Sequence, residues 1–123
     1  ARDVESVYVF GDNSTDAVDL YVPKTTQACI RGLDNVIGIV TKVDRKWNKN
    51  SFFSDDYLEI YKILLEVAIQ LIHIQIEKGK TIVFPEQGIG TGKAMLSDKA
   101  PACWEYLCKR LKEEFNYDNG QNN

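Results

Sequence analysis

Residues 80–92 read Lys80-Thr81-Ile82-Val83-Phe84-Pro85-Glu86-Gln87-Gly88-Ile89-Gly90-Thr91-Gly92. Thr81 to Phe84 is a short apolar, β-branched run that follows the turn signal Glu77-Lys78-Gly79-Lys80 and halts at Pro85, which cannot donate to a ladder. A strand of that character suits a parallel sheet covered on both faces. Gly88, Gly90 and Gly92 follow at alternate positions. Lacking Cβ atoms, they admit close approach to the backbone and φ angles that turn successive N–H groups inward, a nest suited to an anion. The competing reading is a wide turn with no ligand.

Working outward, Val4 to Phe10 reads as a first strand ended by Gly11-Asp12-Asn13, and Val36 to Val40 as a second, buried one. Between them, Thr25 or Thr26 caps a short predicted helix through Arg31, with Gly32 as its stop. Ser54-Asp55-Asp56 places a capping hydroxyl and two carboxylates at the start of a long helix. In it Glu59, Lys62, Glu66, Gln70, His73 and Glu77 form one narrow polar stripe, so most of its circumference is apolar. That width calls for cover beyond a sheet, and a homo-oligomer built on this helix is the expectation. The rival reading makes Leu71 to Ile76 a strand, because Ile72, Ile74 and Ile76 alternate with His73 and Gln75. A final helix opens at Ala100-Pro101 and buries Trp104, Leu107, Cys108, Leu111 and Phe115. The order is βαβαβα. Right-handed crossovers then give strand order two, one, three in a small three-layer α/β/α sandwich with a mainly parallel sheet, to which Leu20-Tyr21-Val22 is a candidate extra edge strand.

At 123 residues, 44% apolar and 27% charged, the chain has the balance of one folded domain, expected over 1–117, with 118–123 as a disordered polar tail. A net charge of -3 disfavours nucleic acid as partner. Cys29, Cys103 and Cys108 form no CxxC pair, which argues against a disulfide framework or zinc site and for a reducing compartment. The run Val67 to Ile76 is too short to cross a bilayer, and the first residues have no secretory pattern. The expected location is the cytoplasm.

Ligands of an open parallel sheet bind beyond the carboxyl ends of its strands. The site residues are therefore Gly11, Asp12, Asn13, Thr41, Lys42, Pro85, Glu86, Gln87, Gly88, Ile89, Gly90, Thr91 and Gly92. Lys42 neutralises a phosphate or is simply solvated, Asn13 orients the ligand, and at the loop mouth the Glu86 carboxylate takes a ribose hydroxyl, keeps out the wrong anion, or forms a solvated rim with Gln87. Asp12 is the candidate catalytic residue, as general base or hydroxyl acceptor, although Gly-Asp-Asn is also an ordinary turn sequence. Lys93 is followed by Ala94 where a Walker A loop needs Ser or Thr, so triphosphate hydrolysis is not expected. No cofactor is expected, and magnesium would arrive only with the ligand. His73 lies on the helix stripe away from the strand ends and reads as structural. The cysteines read as buried, and Trp47 is left without a role.

Ile82-Val83-Phe84-Pro85 leading into a glycine loop, then a proline-opened helix, resembles the phosphate-binding half of macro domains, which bind ADP-ribose. The wider set Phe10-Gly11-Asp12-Asn13, Gly38-Ile39-Val40-Thr41-Lys42, Phe52 to Asp56, Phe84 to Gly92 and Lys99-Ala100-Pro101 is similar to a family of short bacteriophage and bacterial proteins. The resemblance implies a Rossmann-like or macro-like fold in which Gly88 to Gly92 take a diphosphate and Gly11-Asp12-Asn13 lie near the distal ribose. Val22-Pro23-Lys24-Thr25-Thr26 departs from the glycine-rich first loop of macro domains, a loss that binding survives better than catalysis. The function expected is binding, or sequestration, of an ADP-ribose-like or cyclic nucleotide, countering host nucleotide immune signalling in the host cytoplasm if the chain is phage-encoded. The alternatives are an ADP-ribose-processing hydrolase or phosphatase and a protein-interaction module.

Overall fold

A computed structural model describes residues 5–13, 35–42, 52–91 and 94–120. Three parallel strands form the sheet, β1 (Ser6–Asn13), β2 (Val36–Lys42) and β3 (Thr81–Val83), in the order β2-β1-β3. Central β1 pairs with β2 along nearly its whole length and with β3 only over Ser6 to Tyr8. Gly11-Asp12-Asn13, expected to end the first strand, instead continues it opposite Ile39, Val40 and Lys42, with a register shift at Asp12/Asn13. The neighbouring parallel strand supplies a ladder, and that pairing overrides the local turn preference of these residues.

A single 3-10 turn, Asp55–Tyr57, leads into helix α1 (Leu58–Glu77). The helix runs unbroken through the stretch whose alternating isoleucines offered a strand, because a 3.6-residue period lets Tyr61, Leu65, Ala68, Ile69 and Ile72 share one buried face. Two further helices follow β3, the short α2 (Leu96–Lys99) and α3 (Pro101–Phe115). Proline opens α3 as expected. The core joins Val9 and Ile39 of the sheet to Tyr61, Leu65, Ile69 and Ile72 of α1, and to Leu96, Leu107 and Leu111.

The fold is thus mixed α/β around a small parallel sheet. The helix expected from Thr25 or Thr26 to Arg31 and the edge strand at Leu20 to Val22 lie outside the described residues, as do Cys29 and Trp47. No helix among the described residues is long and apolar enough to cross a membrane.

Two capping assignments change. Ser54 makes no side-chain capping bond. Asp55 reaches across to α3, where its Oδ1 accepts hydrogen bonds from the N–H groups of Ala102 (2.9 Å) and Cys103 (3.3 Å). Proline at the first helical position leaves the next amides exposed, and the carboxylate satisfies two of them at the positive end of the helix.

Asp118 to Gly120, expected to begin a disordered tail, are packed against the domain. Tyr117 stacks on Phe84 with ring centroids 4.4 Å apart and donates its hydroxyl to the Pro85 carbonyl at 2.6 Å. Asn119 is 1% exposed. Its side chain accepts from Ile89 N–H (2.6 Å) and donates to Ile89 C=O (2.9 Å), pairing with both backbone groups of that residue as a strand neighbour would. Residues 121–123 lie outside the described residues.

Candidate functional site

The chain leaves β1 for β2 on one side and returns to β3 on the other, so strand order reverses at β1 and β3. In an open parallel sheet that is where a ligand crevice forms, outside the carboxyl ends. Residues 11–13 of β1 extend past the last residue paired with β3. Next to them the loop after β3 begins.

That loop is shaped by glycines whose missing side chains make room for close packing. Gly88 and Gly90 have φ of +91° and +82°, the left-handed region. A Cβ at Gly88 would stand 3.1 Å from Asn119 Oδ1 and Gly120 N, and one at Gly90 would stand 3.1 Å from Leu96 Cδ2. Ile89 between them is fully buried and anchors the loop in the core. The amides of Gly88 and Ile89 are already engaged, the first with Pro85 O at 3.2 Å and the second with Asn119. Of the N–H groups expected to form an anion nest over Gly88 to Gly92, these two are thus engaged within the protein. The Thr91 hydroxyl turns back onto the carbonyls of Gln87 (3.0 Å) and Gly88 (3.4 Å). Glu86 and Gln87 are exposed at the rim and Pro85 is half-buried. Gly92 lies outside the described residues.

The loop passes directly into α2, since Leu96 N–H donates to Gly90 C=O at 3.0 Å. Met95, at this junction, has φ +50°, a conformation that costs a non-glycine residue on the order of 1 kcal/mol or more. The strain is held beside the loop.

At the end of β2, Thr41 and Lys42 are both buried. The Thr41 hydroxyl donates to Asp12 C=O at 3.2 Å and ties the two strand ends together. The Asp12 side chain is enclosed, its Oδ2 lying 3.4 Å from where a Cβ at position 38 would stand, so Gly38 makes room for it. The Lys42 ammonium stands 4.5 Å from the ring centroid of buried Phe52, and Lys99, the last residue of α2, brings a second ammonium to 5.2 Å from the same ring. Phe52 and Lys99 did not stand out as site residues. Both fall within runs that carry the family resemblance, but no spacing joins them to the strand ends, because Lys99 and Lys42 meet at Phe52 only in the folded chain.

Other chemistry-bearing groups are structural. His73 is 2.7 Å from Glu114 and lies against Phe115. Burial, with Asp55 adding to it, pushes the Cys103 thiol up to about 11, so it stays protonated and unreactive at neutral pH. No cluster of three or more His, Cys, Asp or Glu residues fit for a metal occurs among the described residues.

The model of a family of unknown function, DUF7831, matches residues 1–110. The chain belongs to the DUF7831 family. The match spans every strand end of the site, the glycine loop, Phe52 and Lys99, and stops before Tyr117 and Asn119, which brace the loop from behind. No curated protein and no solved structure matches the chain.

Proposed function

We propose that this DUF7831 protein binds a phosphorylated nucleotide of the ADP-ribose type at the carboxyl end of its sheet, in the manner of a macro-like domain. The observation that carries the reading is the convergence of Lys42 and Lys99, from two separate elements, on Phe52. Two ammonium groups brought to one ring from separate elements concentrate positive potential at the strand ends, which favours an anionic group there. Phosphate therefore goes to the lysines and not to the amides of Gly88 and Ile89. Glu86 and Gln87, exposed at the loop rim, supply an acceptor and a donor for ribose hydroxyls. Enclosure of Asp12 favours retention of the ligand over its hydrolysis.

The test is a melting-temperature screen of ADP-ribose, cyclic ADP-ribose isomers, NAD and cyclic dinucleotides. A ligand at about 100 times its dissociation constant adds about 2.7 kcal/mol, roughly 10 °C for a domain of this size. One ADP-ribose-type compound is expected to stabilise the protein, and Lys99→Glu to abolish the shift while leaving the unliganded melting temperature nearly unchanged, since Lys99 is exposed. Gly90→Glu is unsuitable as a probe, because its side chain would strike Leu96 and unfold the loop. Turnover of an ADP-ribosylated substrate, lost in Asp12→Asn, would replace binding by the hydrolase reading. No shift with any compound would remove the nucleotide altogether.

A further inference from the structure

We propose that α1 pairs with α1 of a second copy of this chain, antiparallel, about a two-fold axis passing beside Val67. Besides its core face, α1 carries a second apolar line, Ile60, Leu64, Val67, Leu71 and Ile74, whose members are 38% to 56% exposed. Ile63 beside it is 65% exposed. The line advances by four, three, four and three residues. That is the spacing of a seam that receives another helix, which keeps one stripe facing its partner over about 30 Å of a 20-residue helix. Along it, the row Ile63, Val67, Leu71 and the row Lys62, Glu66, Gln70 border a shallow groove of about 480 Å³. Rows of this kind are the ridges that seat in a like groove on a facing helix.

The charges choose a second copy as occupant and fix its direction. Ile60 and Ile74 stand seven residues, and Ile63 and Leu71 four residues, either side of Val67, so reversing the helix lays these five apolar residues on themselves and sets Leu64 opposite Gln70. Exposed Asp56 and Lys78 stand eleven residues either side of the same point. An antiparallel pair therefore sets Asp56 of each copy against Lys78 of the other, at both ends, and aligns the helix dipoles favourably. A parallel pair would set Asp56 against Asp56 and Lys78 against Lys78. The resulting interface is isologous and closes at two subunits.

Light scattering and sedimentation of the full chain test this, independently of any nucleotide. The expected mass is twice the 14.0 kDa of one chain. Val67→Glu should give the single-chain mass with an unchanged circular dichroism spectrum, because Val67 lies outside the core. Asp56→Lys should weaken the dimer roughly tenfold, since two symmetric pairs turn repulsive, and adding Lys78→Asp should restore it. A single-chain mass at every attainable concentration would overturn the proposal, whether α1 then faces another protein or none. A dimer that survives Val67→Glu, or one that the double reversal fails to rescue, would overturn it equally.

Discussion

Asn119 takes both backbone groups of Ile89 inside the protein, and the consequence of removing it follows from their burial. Asn119→Ala leaves a donor and an acceptor unpaired away from water, at about 1 to 3 kcal/mol for each such group. We expect a loss of about 2 kcal/mol or more in urea unfolding, and a change within experimental error would mean that the clamp does not form in solution. The opposite sign is expected at Tyr61. Its ring is fully buried, and its Oη is the buried side-chain atom without a hydrogen-bond partner among the described residues. Burial drives its hydroxyl strongly toward the protonated form, with the Cys103 and Cys108 thiols adding to the effect. Tyr61→Phe removes an unsatisfied group without opening a cavity, so stability should rise by about 1 kcal/mol in the same assay. Neither residue announced its role in the sequence. Asn119 sits in Asp118-Asn119-Gly120, a turn signal in a polar stretch, and only the packing of Tyr117 against Phe84 brings it beneath the loop.

Among elements, α3 depends on residues far from it in the chain. Asp55→Ala should uncap its first turn and cost about 1 kcal/mol, whereas Ser54→Ala should cost little, and equal effects would contradict the geometry. The α1–α3 seam is held by Arg110, which donates to both carboxylate oxygens of Glu66 at 2.6 and 2.9 Å and also reaches Glu113 and Glu114. Tyr106 donates to Glu66 as well. The Arg110 hydrogen bonds, aided by that of Tyr106, hold the Glu66 carboxyl down at about 2, against an ordinary value of 4.5. A depressed carboxylate contributes stability that is complete above its unfolded value and is lost as pH falls through its folded one. The contribution should therefore fade between about pH 4.5 and pH 2. Melting temperature measured from pH 7 downward should fall less steeply in Glu66→Gln than in the parent through that window. Parallel curves would show that the pair is solvated. The helices themselves were legible, because period 3.6 and an opening proline are local signals. Which carboxylate caps which helix was not, because Asp55 and Ala102 are neighbours only in space.

At the scale of the whole molecule, the loop after β3 is supported from three directions: by Leu96 in front, by Leu107 below Gly90, and by residues 117–120 behind. Removing residues 118–123 should therefore lower the melting temperature by about as much as Asn119→Ala, because Asn119 carries the contacts with the loop. A truncated chain as stable as the parent would restore the view of these residues as a passive tail. If the carboxyl end of the sheet binds a nucleotide, the same truncation should weaken binding only through loop order, leaving the contribution of Lys99 in place.

The sequence alone determined the strands, the long helix, the proline-opened helix and the strand order two, one, three, because hydrophobic period, turn residues and the handedness of crossovers are properties of short segments or of chain order. It also placed the candidate site at the strand ends and singled out Thr41 and Lys42. Only the tertiary structure decided which groups the glycine loop leaves for a ligand. Three glycines specify a backbone path, but whether an amide faces outward or a buried asparagine depends on what packs behind it. The same holds for Lys99 and Phe52, separated by 47 positions and joined because α2 turns back toward β2. Charge and aromatic character are written in residues, whereas their convergence is created by the fold.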